Sequence, residues 1–264
     1  MLRPTLMAVG LLALAIAGLA ATGARAGTTG AIYLPIVQNF PPPLFADDFS
    51  NPASGWPTTP QTDVNGRVIA TRGYVGGTYQ ILFSQDASLF QQNGFYVPAQ
   101  HGLLVGDFQV EADVWPATSN TDGTIGVYFD NSSTSGFYDF EVGLGGYYLA
   151  RYSYPAQAWT TLIPLTPAGA VRGGNQVNRV KVVRQGASIS LYANNALLAQ
   201  VTDSTFPTGF VGLAASNDVN SVGFDARFDN FSLIFLGPAP SAATARAPAI
   251  GTDSDRPIPR RSAP

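Results

Sequence analysis

Asp139 and Glu141 stand two residues apart in the run Phe137-Tyr138-Asp139-Phe140-Glu141-Val142. In an extended chain alternate residues share a face. The two carboxyls therefore project from one side, their Cα atoms about 7 Å apart, while Tyr138, Phe140 and Val142 take the other side and read as core. Such a pair can hydrogen-bond sugar hydroxyls, coordinate a cation or serve as acid and base, and it is also what an ordinary solvated strand face looks like. What singles it out is its neighbourhood. Phe137, Tyr138, Phe140, Tyr147, Tyr148, Tyr152, Tyr154 and Trp159 fall within 23 residues. If Tyr147 and Leu149 point inward, Tyr148 and Tyr152 point outward beside the carboxyl face. Sugar rings present apolar C–H faces that stack on aromatics, and their hydroxyls seek carboxylates, amides and a guanidinium such as Arg151. Tyr148, Tyr152, Asp139, Glu141 and Arg151 together form the candidate ligand site. An aromatic-rich core with two tyrosines at its rim is the plainer alternative.

Strands must hold these residues. Between Gly66–Thr71 and Gly223–Phe235 the chain breaks into about a dozen short segments of period two, with no convincing helix. Arg184-Gln185-Gly186-Ala187 and Asn194-Asn195 supply turn residues for a meander of three antiparallel strands. The fold class expected is all-β, a two-sheet antiparallel jelly-roll sandwich, with a closed ligand-holding barrel as the alternative that about a dozen strands disfavours. Residues 45–236 form this domain, residues 27–44 a Pro-rich spacer or docking strand, and residues 237–264 a disordered Pro/Ala-rich tail carrying four arginines. Residues 1–26 pair Arg3 with an apolar run and end in Ala24-Arg25-Ala26, the pattern of a cleaved secretory signal. The chain is thus expected outside the cell or at its surface, with no membrane span once the signal is removed.

Composition excludes several chemistries. With no cysteine, there is no disulfide framework, thiolate metal site or cysteine nucleophile. Without residues 1–26, 12 basic and 17 acidic residues remain, a formal charge of −5. No Lys/Arg run exists to displace phosphate counterions, so nucleic acid is not an expected partner. The single histidine, His101, cannot build a multi-histidine metal site, and no G-x-S-x-G elbow offers it a serine nucleophile.

Two bookends close the domain: Asp47-Asp48-Phe49 with Ser54-Gly55-Trp56 at its start, and Phe228-Asp229-Asn230-Phe231 at its end. With Gly145-x-Tyr147-x-Leu149-x-Arg151, Trp159, Asn178-x-Val180-x-Val182, Tyr192-x-Asn194 and Gly209-x-Val211-Gly212-Leu213, they resemble the concanavalin A-like lectin/glucanase superfamily. The likeness is to secreted bacterial members near 3-keto-disaccharide hydrolase and laminin-G-like domains, and covers Phe45 to Ile234. It implies that the bookends meet in one sheet, that a curved sheet offers a concave glycan-binding face, and that a structural calcium sits near the termini. Asp48 and Asp229 are the metal ligands this suggests, with Asp47 adjacent; Asp122, Asp130 and Asn131 offer a second oxygen-rich group, and turn capping is the commoner task of such residues.

The resemblance also raises a retaining glycosidase of family 16 type, whose motif looks like Glu-x-Asp-x-(x)-Glu. Glu111-Ala112-Asp113-Val114-Trp115-Pro116 supplies the first two acids and then fails, with Trp115 or Pro116 where the last carboxyl should stand. Only two glutamates exist in the chain. The expectation is a non-catalytic domain that binds a glycan or polysaccharide or presents a surface for interaction. A glycoside hydrolase-like enzyme and a purely structural extracellular domain are its alternatives.

Overall fold

The computed structural model describes residues 45–89, 95–118, 122–217, 222–237 and 258–259. The signal and spacer assigned to residues 1–44, and all of the tail beyond 237 except residues 258–259, lie outside the described residues. The side chain of His101 does too. Among the described residues there are 16 strands and one single-turn 3-10 helix, Ala87–Leu89.

The strands form two antiparallel sheets. The first contains β1 (Phe45–Asp47), β2 (Gln61–Thr62), β3 (Val68–Val75), β4 (Thr78–Phe83), β6 (Phe108–Pro116), β11 (Asn178–Gln185), β12 (Ser188–Ala193), β13 (Ala196–Thr202) and β15 (Asp225–Phe235). Its order is β13-β12-β11-β6-β15-β4-β3-β2, with β1 on β15. The second runs β10 (Ala158–Pro167), β9 (Gly146–Ser153), β8 (Gly136–Gly143), β7 (Gly123–Ser132), β14 (Gly209–Asn217), β5 (Phe95–Val105) and β16 (Ile258–Pro259). The expected two-sheet jelly roll is what the chain forms.

Alternation drives the layering. In β6, Phe108, Val110, Ala112 and Val114 are buried and the residues between them half-exposed. Their partners in the core include Phe129, Tyr138, Phe140, Val142 and Leu149 of the other sheet. Burying each such side chain contributes about 1.5–3 kcal/mol, and a chain without disulfides depends on that sum. Turn chemistry sets the registers. Asn194 and Asn195, at φ 50° and 68°, close the β12–β13 hairpin. Leu144 and Gly145, at φ 54° and 73°, close β8–β9 in a two-residue loop of the type that matches strand twist.

The bookends meet. Phe45 pairs with Leu233 and Asp47 with Phe231. Asp47 ties the entry loop to this edge: its Oδ1 accepts from Phe49 N at 2.8 Å and its Oδ2 from Trp56 Nε1 at 2.9 Å. The Trp56 ring packs 5.0 Å from Phe231 and 5.4 Å from Phe49. These residues fasten the ends of the domain to one sheet.

At one end of the sandwich a charged pair is sealed between the layers. β7 bulges next to Asp130, whose φ is 53°. The bulge turns this side chain inward, against strict alternation with Tyr128. It meets Arg184 of the first sheet at 3.0 Å, with both side chains essentially inaccessible. Arg184 also donates to the carbonyls of Asp203 (2.9 Å) and Phe206 (3.0 Å). Burial outweighs the pull of Arg184 and pushes the Asp130 carboxyl up to about 7. Asp130 is therefore a cross-sheet tie and not part of an oxygen-rich loop group.

Candidate functional site

The outer face of the seven-stranded sheet carries Asp139 and Glu141, as their spacing requires, with Tyr138, Phe140 and Val142 in the core behind them. Cross-strand pairing brings Tyr128 beside Asp139, Gly126 and Tyr148 beside Glu141, and Tyr152 beside Phe137. On the next strand Ser216 pairs with Thr124, which completes the row that reaches Glu141. Gly126, Ala150, Gly212 and Ala214 lie among these residues and keep the middle of the face low.

Polar contacts converge on the two carboxyls. The Tyr148 hydroxyl lies 2.6 Å from Asp139 Oδ2 and 2.7 Å from Glu141 Oε2. Thr124 Oγ1 donates to Glu141 Oε2, and Ser216 Oγ donates to Glu141 Oε1 at 3.1 Å. A phenol has one hydrogen, so it cannot donate to both carboxylates at once. Asp139 and Glu141 are both 0% exposed and Tyr148 is 9% exposed, so this is not a solvated strand face.

The other half of the face is aromatic. Tyr128, Phe137, Tyr152 and Ala214 form a buried cluster, with Tyr154 and Trp159 packed against it and half-exposed. Trp159 stands edge-on to Phe137 at 5.5 Å and 89°, and 5.2 Å from Tyr152. Tyr152 packs 5.6 Å from Tyr154, and burial raises its hydroxyl above the ordinary tyrosine value. Thus the accessible aromatic surface at this end belongs to Trp159 and Tyr154, with Tyr152 beneath them.

Of the five residues expected to share a site, Asp139, Glu141, Tyr148 and Tyr152 lie on one sheet face. Arg151 does not. It has the parity of Tyr147 and Leu149, and it leaves toward the opposite side, where it pairs with Asp203 and donates to Thr205 Oγ1 at 2.6 Å. Sequence reasoning did not connect Thr124, Tyr128 and Ser216 to the site, because they arrive from β7 and β14 through pairing rather than from the aromatic-dense segment itself.

The other candidates have local tasks. Glu111 and Asp113 lie on the outer face of the nine-stranded sheet, where Arg179 bridges them at 2.6 and 3.1 Å. Asp48 Oδ1 accepts from Ser50 N at 3.0 Å, and its hydrogen bonds with Ser50 hold it below the usual carboxylate range. Asp229 Oδ1 accepts from Asn230 N at 2.7 Å; partial burial and the nearby Asp113, Asp48 and Asp47 raise its carboxyl. Among the described residues no group of three or more His, Cys, Asp or Glu side chains is arranged to hold a metal ion. Nor is any described helix long and apolar enough to cross a membrane.

No family model matches the sequence, and no curated protein matches it either. Solved structures do match in fold. A GlcNAcα1-4Gal-releasing endo-β-galactosidase from Clostridium perfringens aligns at TM-score 0.53 and 13% identity, over 76% of this chain and 64% of that one. The Bacillus licheniformis β-glucanase aligns at TM-score 0.51 and 13% identity, covering 72% of this chain and 97% of its own. A protein described among endo-acting O-glycanases of the human gut microbiota aligns at 0.52 and 11%, over 74% and 100%. The fold is thus the concanavalin A-like jelly roll.

Proposed function

We propose that the outer face of the seven-stranded sheet binds a glycan, with Trp159 and Tyr154 as the stacking platform and Asp139, Glu141 and Tyr148 as the polar end. The observation that carries this reading is the division of one sheet face into an aromatic half and a carboxyl–hydroxyl half. That is the pair of chemistries a sugar ring presents, an apolar C–H face and a fringe of hydroxyls. The fold neighbours named for acting on glycans support it. So does the signal-like segment at residues 1–26, which would deliver the domain to extracellular polysaccharide.

A glycan array tests the proposal. Trp159→Ala is expected to lower affinity for the bound polysaccharide by at least about tenfold, the scale of a buried aromatic anchor, without a comparable loss of folding stability. Unchanged binding in Trp159→Ala and Tyr154→Ala would remove the site. Binding to no polysaccharide at all would remove the function.

One observation favours an enzyme instead. Contact with a common phenol oxygen brings the Asp139 and Glu141 carboxyls within about 5 Å of each other, the separation a retaining glycosidase uses. Against it stands Phe137. If Asp139 and Glu141 fill the last two places of a Glu-x-Asp-x-Glu pattern, phenylalanine occupies the first. Release of new reducing ends from mixed polysaccharides would decide for hydrolysis.

A further inference from the structure

A cavity of about 200 Å³ opens at the end of the sandwich opposite the Asp130–Arg184 pair, where β6 ends, β8 turns into β9 and the loop before β11 passes. Its floor is core. Val114 of the first sheet, Ile125 and Val142 of the second and Phe224 just before β15 are each no more than 3% exposed. Gly123 makes room for this wall, since a Cβ there would fall 2.5 Å from the Phe224 ring. The rim holds the half-exposed Trp115, Leu144, and the exposed Arg172 and Gly173. Ile125 and Val142 face inward, whereas their chain neighbours Thr124 and Glu141 join the network on the outer face. The seven-stranded sheet therefore separates this cavity from the glycan face.

Arg172 gives the rim its chemistry. Among the described residues that line the cavity it alone is charged. No carboxylate among the described residues forms an ion pair with it. Its Nη1 donates to the Val177 carbonyl at 3.0 Å, which uses one of the five donors of a guanidinium. The backbone beneath is braced: Arg172 N donates to Asn178 Oδ1 at 2.8 Å, and Asn178 Nδ2 donates back to the Arg172 carbonyl at 2.9 Å. Asn194 Nδ2 holds Asn178 Oδ1 from the next hairpin at 2.8 Å. A guanidinium on a fixed loop beside an apolar hollow suits an amphipathic anion, because a carboxylate matches its donor fork.

We infer that this cavity binds a small aromatic monocarboxylate, its ring on the core floor and its carboxylate on Arg172. Size selects the ring. An apolar cavity of about 150 Å³ accommodates benzene, so this one takes a single ring and no long acyl chain. Shape favours a flat ligand, since Gly143, Gly145 and Gly173 present bare backbone and Trp115 and Phe224 present rings. The four floor residues carry no hydrogen-bonding side chain, which sets the cavity apart from the sugar face.

Titration of the full chain with benzoate tests this, with benzyl alcohol as the neutral analogue and acetate as the head group alone. Calorimetry is expected to show benzoate binding at least about tenfold more tightly than either, the scale of one charge-assisted hydrogen bond or of a buried ring. Arg172→Gln is expected to bring benzoate down to the level of benzyl alcohol. Its melting temperature should match the parent chain, because the side chain is exposed. Isotope-filtered NMR locates the ring, with contacts expected from benzoate protons to the methyl groups of Ile125 and Val142. No binding of benzoate, equal binding in Arg172→Gln, or contacts away from those methyl groups would each overturn the inference. So would equal affinity for benzoate and acetate, which would leave Arg172 as a plain anion contact. A chain that binds benzoate and no polysaccharide would refute the glycan site and leave this one standing.

Discussion

The two outer faces of the sandwich each carry a pair of acids at alternate positions of one strand, Glu111 with Asp113 and Asp139 with Glu141, and the surroundings make them different chemical objects. On the nine-stranded sheet the neighbouring strand places Arg179 opposite Asp113, and its guanidinium spans both carboxyls in a half-exposed setting. Nearby Lys181 lies 4.4 Å from the Tyr192 ring centre, another cation at work on the surface. On the seven-stranded sheet the partners opposite Asp139 and Glu141 are Ala150 and Tyr148, and the described contacts are hydroxyls. What an i, i+2 pair of acids does is thus decided by the residue across the ladder. One pair is bridged by a surface arginine. The other is bound by hydroxyls and held out of water.

The contrast is sharpest between the sheets, where Arg184 and Asp130 have no solvent to fall back on. Arg184→Ala leaves Asp130 buried without its cation and is expected to cost about 3–5 kcal/mol in a denaturant melt above pH 7, where Asp130 is ionised. The same pair gives stability a pH dependence. Asp130 has a folded value raised to about 7 from 3.8, so its neutral form favours the folded state. The contribution is fully present below about pH 4 and is lost as pH rises toward 7. Asp130→Asn is expected to flatten the stability–pH curve across that window, as followed by thermal melts; an unchanged slope would refute the assignment.

Next in size is the carboxyl network. Glu141→Ala strips partners from the buried hydroxyls of Thr124, Ser216 and Tyr148 and is expected to cost about 2–3 kcal/mol, measured as a shift in denaturant midpoint. A loss below 1 kcal/mol would mean that this face is as forgiving as its counterpart. The smallest effect belongs to Arg179→Ala. An exposed pair of this kind contributes under about 1 kcal/mol, and 1 M salt should erase most of the difference between the two chains. If Arg179→Ala instead matched Glu141→Ala, the distinction between the faces would fail.

Much of this geometry could be read from one dimension. Period-two alternation gave the two-layer fold, the inward Tyr147 and Leu149, and the outward Asp139, Glu141, Tyr148 and Tyr152, while the meeting of the bookends was what the family resemblance implied. Arg151 could have been placed correctly as well, since it is three residues from Tyr148 and one odd step puts a strand residue on the opposite face. Asp130 could not. Its inward turn depends on a bulge, and nothing in Tyr128-Phe129-Asp130-Asn131 announces one. Arg184 carried a partial signal, because it continues the buried series Val180, Val182 in which a charged residue needs a partner. Burial of Asp139 and Glu141 was likewise hidden: alternation tells which side of a sheet a residue faces and is silent on what lies beyond that side.

Because β1 and β15 are hydrogen-bonded neighbours, the domain begins and ends at the same place. A chain so arranged can be spliced into a surface loop of another protein, or have the ends of the β1–β15 unit linked and new ones cut at the Asn194–Asn195 hairpin, while every ladder from β1 to β15 keeps its partners. The unit is portable, and whatever binds on its distant face would travel with it unchanged.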